Sequence, residues 1–163
     1  MTMPTDDDHR ADTTARDGVE ALHGEQDGVD ALHAEQNGVD ALHAAGMRVR
    51  REVLGDEHVD RAVAGTTEFT RPFQDYITRA AWGSVWTRDG LDRRTRSCLT
   101  LAVLTALRSH GEIAMHVRAA IGNGLTPAEI SEVLLHTGVY AGVPAANEAF
   151  AIAQRTLAEM GEI

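Results

Sequence analysis

From Ala44 to Met160 glycines and caps cut the chain into pieces of helical length, and none of them alternates apolar and polar residues as a strand would. The sharpest mark is Thr126-Pro127-Ala128-Glu129. The threonine can accept from the backbone N–H three residues on, and the glutamate can reach back to the cap. Proline at the first helical position loses nothing, because its missing N–H has no partner there. The helix opened by this box runs to about Ala141 and stops at Gly142, and Pro144 opens another that reaches Met160. Upstream, Asn123-Gly124 is a turn after EIAMHVRAAIG (112–122), and Ser109-His110-Gly111 separates that helix from SCLTLAVLTAL (97–107), which Asp92 can cap. The 97–107 stretch is apolar nearly all round, the pattern of a central helix buried on several sides. Earlier still, Thr70 to Trp86 sets Phe73, Tyr76, Ile77 and Ala80 at helical spacing, and Gly55 and Gly65 stop MRVRREVL (47–54) and DEHVDRAVA (56–64). The fold class expected is all-α.

The first residues are of another kind. Residues 1–16 are polar, and residues 17–46 repeat a ten-residue unit: DGVEALHGEQ, DGVDALHAEQ, NGVDALHAAG. A ten-residue step falls about 80° short of whole helical turns, so Val19, Val29 and Val39 cannot share one core-facing stripe. The glycine in each unit weakens a helix by about 1 kcal/mol. A continuous helix is therefore not expected beyond the unit nearest the domain, and residues 1–43 read as a partly helical, flexible extension ahead of a helical domain at 44–163. His23, His33 and His43 would stand about 15 Å apart on a helix, too far to share a metal. Residues 1–46 carry 11 acids against two arginines, a net of −9, while the rest of the chain is nearly neutral. No basic footprint for nucleic acid results. The single cysteine, Cys98, excludes a disulfide framework and a thiolate cage. No apolar run approaches the roughly 20 residues of a membrane span, and the acidic N-terminus is unlike a secretory signal, so a cytoplasmic protein is expected.

FQDYITRAAWGSVW (73–86), LDRRTRSCLT (91–100), MHVRAA, NGLTPAEI, EVLLHTGVY and AGVPAANEAF follow one another in order. Together, from about Gly46 to Leu157, they resemble the carboxymuconolactone decarboxylase family, in particular its 4-carboxymuconolactone branch. The resemblance implies a compact helical subunit, a homo-oligomer that is typically a hexamer, and a cofactor-free decarboxylase of aromatic-acid breakdown, in the protocatechuate branch of the beta-ketoadipate pathway. The same superfamily holds alkylhydroperoxidase D-like disulfide reductases with a C-x-x-C-x-x-x-H signature. Laid on this chain, the cysteines of that signature fall on Ser109 and Glu112 and its histidine on His116, so thiol chemistry is excluded. The chain departs from its own branch at Ala141, where cysteine is frequent, and at His136, where glutamine is frequent.

The substrate so implied is an unsaturated lactone with two carboxylates. Loss of the carboxylate gamma to the lactone carbonyl pushes electrons through the ring C=C onto the carbonyl oxygen, and protonation then gives 3-oxoadipate enol-lactone. The protein must supply an anion clamp, a donor for the oxyanion and one proton, with neither metal nor cofactor. Glu112 and His116, four residues apart, share a helix face, and spacing alone fits an ordinary surface pair. They fall, however, on what the resemblance implies is the active helix. That makes His116 the candidate proton donor or oxyanion partner and Glu112 the residue that orients it, with the roles open to exchange. His110-Gly-Glu112-x-x-x-His116 lacks the spacing of a helical zinc motif. Arg96 is the first candidate for the clamp, since it begins an apolar helix where a charge needs a partner, and Arg118 is the second. Tyr140 and Asn147 flank a Gly-Val-Pro turn and are further candidate donors. Trp82 and Trp86 fit core packing or an interface better than a substrate wall. A paralogue acting on another lactone or keto acid, and a non-catalytic binding protein of the same fold, are the rival readings.

Overall fold

A computed structural model describes the backbone from residue 10 and the side chains from residue 31. The readings of residues 1–9, and of the His23 side chain, fall outside the described residues. Residues 1–41 and 42–163 form separate compact units.

The repeats do not interrupt the first helix. Helix α1 runs from Arg10 to Leu54 without a break, a correction to the partly helical segment expected. Each glycine penalty is local, and Ala, Leu, Glu and Gln around it are strong helix formers. The drift of the ten-residue period forbids a shared apolar stripe rather than a helix. Accordingly, residues 31–41 are exposed except for the half-buried Val39. Further on, the helix acquires a buried face in which Gly46, Val49, Arg50 and Val53 follow the i, i+3, i+4, i+7 pattern. Gly55, at φ 85°, ends α1 in a conformation that costs only glycine nothing, and α2 follows at Asp56–Ala64.

Helices α4 (Arg93–Ala106), α5 (His110–Gly122), α6 (Pro127–Ala141) and α7 (Val143–Met160) pack on one another around an aliphatic core. Leu101, Ile113, Val117, Ile130, Leu134, Ile152 and Leu157 form its centre. The caps are as the sequence marks them. Asp92 accepts from the Thr95 N–H at 2.7 Å. Thr126 accepts from the Glu129 N–H at 3.2 Å, while its own N–H donates to the Glu129 carboxylate at 2.8 Å. Helix α4 is not covered all round, however. It buries Ser97, Leu101 and Thr105, whereas Leu99, Val103 and Leu107 are 51%, 54% and 70% exposed. Within one chain only the stripe facing α5, α6 and α7 is covered, so the opposite stripe faces outward.

A second apolar cluster joins Val49 and Val53 of α1 to Trp82 and to Ala119 of α5. Helix α3 (Arg71–Ile77) continues as wider, π-helical turns over Thr78–Gly83, where the sequence pattern suggests an ordinary helix to Trp86. The π-helical turns lie against α1 backbone to backbone: a Cβ on Gly46 would overlap the Thr78 carbonyl and stand 2.9 Å from the Gly83 nitrogen. The rings of Trp82 and Trp86 pack at 5.1 Å between centroids, tilted by 34°.

Candidate active site

Helix α5 carries Glu112 and His116 one turn apart, and both line a cleft of about 540 Å³. Helix α2 adds His58 to it, α1 adds Arg50 and Leu54, and the α3 and π-helical turns add Ile77, Trp82 and their neighbours. Polar groups thus converge on an apolar wall of Ile77, Trp82, Trp86 and Met115, the usual build of a small-molecule site. A second cleft, of about 580 Å³, lies beside Glu52 and Arg93. There Glu52 holds both Arg93 and Arg48, Asp92 caps α4, and no histidine lines the cleft to supply a proton near neutral pH.

The two histidines of the first cleft are held toward their neutral forms. Burial pushes the His116 imidazolium below its ordinary pKa of 6.5, Glu112 opposes this, and the neighbouring His58 adds to it. His58 is pushed the same way by burial first, then by the charges of Arg50 and Arg61, again against Glu112. Glu112 therefore acts on His116 and on His58 through its charge, and it is exposed where His116 is half-buried. Among the described residues no group of three His, Cys, Asp or Glu side chains is placed to hold a metal ion.

Arg50 is the one charged side chain buried among the described residues, at 6% exposure. Its Nη1 donates to the Gln74 amide oxygen at 3.2 Å and to the Thr78 hydroxyl at 3.5 Å, both neutral. Its Nε is buried without a partner, and burial lowers its pKa.

The remaining candidates lie elsewhere on the chain. Arg118 donates to Glu159 at 2.6 Å and to the Ala114 carbonyl, with its head turned from the cleft lining. Arg96, half-buried, donates to the Arg88 carbonyl at 3.0 Å. Tyr140 is 80% exposed with its ring against His136, and Asn147 is exposed on α7. Sequence reasoning passed over Arg50 and His58; Trp82 and Trp86 pack in the second apolar cluster as expected and also line the cleft. One signal was available for Arg50. It occupies an apolar position of the stripe Gly46, Val49, Val53, where a charge is out of place unless something meets it.

Residues 71–155 match the carboxymuconolactone decarboxylase family. A 4-carboxymuconolactone decarboxylase of Acinetobacter baylyi is 47% identical over 116 residues, covering 71% of this chain and 87% of the relative. The chain belongs to this family. Its activity is therefore that of a decarboxylase. A nitrosuccinic acid decarboxylase of Metarhizium robertsii is also 47% identical, over 115 residues that cover 71% of this chain and 80% of that one. A 4-carboxymuconolactone decarboxylase of Pseudomonas putida is 56% identical over 39 residues, 24% of this chain and 81% of the relative. The family match takes in α3 to α6 and most of α7, and with them Glu112, His116 and the tryptophan wall, while Arg50 and His58 precede it. Among the described residues no helix is long and apolar enough to cross a membrane.

Proposed function

We propose that the chain decarboxylates 4-carboxymuconolactone to 3-oxoadipate enol-lactone. The observation that carries this reading is the placement of Glu112 and His116 one turn apart on α5, both lining one apolar-walled cleft, in a chain 47% identical to an enzyme of that name. The bond from the ring carbon to its carboxylate breaks and CO2 leaves. The electron pair passes through the ring C=C to the lactone carbonyl oxygen, and the resulting dienolate takes a proton at the alpha carbon. The substrate's own carbonyl is the electron sink, so the chemistry calls for neither metal nor organic cofactor. His116 supplies the proton and Glu112 orients it. Burial keeps His116 toward neutral, and a dianion arriving beside it favours the imidazolium, so binding recruits the proton that the product needs. Purified protein given 4-carboxymuconolactone should release one CO2 per enol-lactone formed, in the protocatechuate branch of aromatic breakdown in the cytoplasm.

The same proposal includes assembly with copies of itself, hexameric as the family resemblance implies. The outward stripe of Leu99, Val103 and Leu107, with Leu135, Val139 and Tyr140 also exposed, supports it. Within the acidic extension of residues 1–43, residues 1–36 are dispensable for turnover, whereas Leu42 and His43 already meet Gly83 and Asp75 of the helical domain. Deletion of residues 1–36 checks this, and loss of turnover in a folded product would contradict it.

A second reading has its own support in the relative named for nitrosuccinic acid, at the same 47% identity. That acid is also a dicarboxylate, and the nitro group can accept the electron pair released on loss of CO2. Parallel assays on the lactone and on nitrosuccinate decide between the two.

A further inference from the structure

We propose that Arg50 anchors the substrate carboxylate that is retained in the product, leaving the departing carboxylate against the Trp82, Trp86 and Met115 wall. This assignment rests on the decarboxylase reading of the cleft. It begins from burial and place. Arg48, Arg51, Arg61, Arg93, Arg94 and Arg118 each hold a carboxylate. The other described arginines without one, Arg96 with its own unpartnered Nε among them, are more exposed than Arg50 and lie outside this cleft. Arg50, buried beyond nine-tenths, holds none; its contacts are the Gln74 amide and the Thr78 hydroxyl. A buried guanidinium without an anion is unfavourable, and here an unpartnered Nε belongs to a side chain lining the cleft that holds His116. The group that completes it is a carboxylate, which a guanidinium can grip through two N–H donors.

The chemistry selects which carboxylate. A charge held by an ion pair in the ground state and lost as neutral CO2 would be stabilised before the transition state and not in it, which raises the barrier. The retained carboxylate keeps its charge throughout, so its anchor lowers KM and aligns the ring without opposing the reaction. The departing carboxylate then belongs where no guanidinium grips it, and the tryptophan and methionine side chains provide such a wall. His116 and Glu112 remain for the proton.

The test crosses a change in the protein with a change in the substrate. In the unaltered protein, converting the retained carboxylate to its methyl amide should raise KM by about 10- to 100-fold, the range of a charge-assisted hydrogen bond. Arg50→Gln should raise KM for the dianion similarly, and in that variant the amide should lose nothing further. Arg50→Lys should recover part of the loss. An amide penalty that persists undiminished in Arg50→Gln overturns the assignment. So does a fall in kcat for dianion and amide alike, which would place Arg50 at the oxyanion. Circular dichroism establishes the fold of each variant. Were Arg50→Gln not to fold, the amide substrate with the unaltered protein would still decide, since no rise in KM would overturn the anchor. Were the unaltered protein to leave the lactone unchanged, the decarboxylase reading of this substrate would fail instead. Calorimetric titration with succinate then tests the anchor alone: heat of binding lost in Arg50→Gln supports it, and equal binding by both overturns it.

Discussion

Gly46 meets Thr78 backbone to backbone, so closely that a Cβ at 46 would overlap the Thr78 carbonyl oxygen. This approach sets α1 against the π-helical turns, and so sets Arg50, one helical turn further along, beside the Thr78 hydroxyl and near the tryptophan wall. Neither partner in the crossing can yield, because both are main chain.

Gly46→Ala should therefore destabilise the domain by about 1–3 kcal/mol, the usual cost of overpacking, although alanine is the better helix former by about 1 kcal/mol. Urea denaturation measures it. At Gly38 nothing stands within 4 Å of the added methyl, so the same substitution there should cost no stability. A Gly46→Ala variant as stable as the parent would mean that α1 does not meet the Thr78 turn as described.

His116→Gln should lower kcat by about 10²- to 10⁴-fold, the range of a lost general acid, with the thermal midpoint little changed because the side chain is only half-buried. Glu112→Gln should lower it less, since that side chain acts on the imidazole through its charge. Near-normal turnover by a folded His116→Gln protein would remove His116 from the mechanism.

Stability should fall on acidification from the ordinary histidine pKa of 6.5 downwards. Both His58 and His116 have folded pKa values below that of the unfolded chain. The unfolded chain thus binds more protons in this window, and stability rises with pH across it. The contribution is complete above pH 6.5 and is lost as pH falls through the folded values. The double substitution His58→Gln with His116→Gln should flatten the dependence. Denaturant midpoints between pH 5 and 8 read it, and an unchanged slope in the double variant would contradict the placement of both imidazoles.

Val103→Asp should keep the proposed assembly apart as single chains. Val103 is 54% exposed within one chain, so the charge costs the monomer little and the proposed contact much. Light scattering gives the mass directly. An unchanged mass would place the interface elsewhere.

Most of the fold is legible in the sequence because the marks involved are local. Asp92, the Thr126–Glu129 box, Gly142 and Pro144 act within one turn of the chain, and each is where the pattern sets it. Glu112 and His116 are legible together for the same reason, being one turn apart. Arg50 and His58 were hidden because their significance comes from partners distant in sequence. A buried arginine is not visible until Gln74 and Thr78 are seen to be all it holds. The π-helical turns likewise depend on a glycine 32 residues upstream of Thr78, a pairing that no local pattern reveals. The 97–107 helix misled in the opposite direction: apolar residues on every side meant a face left open in the single chain rather than burial all round.

The central claim is the reaction itself. Purified protein incubated with 4-carboxymuconolactone, followed by CO2 release and by spectroscopic appearance of the enol-lactone, tests it most directly. One CO2 should appear for each enol-lactone, and both should be abolished or nearly so by His116→Gln. A folded, assembled protein that leaves the lactone intact, or one that His116→Gln does not slow, would contradict it.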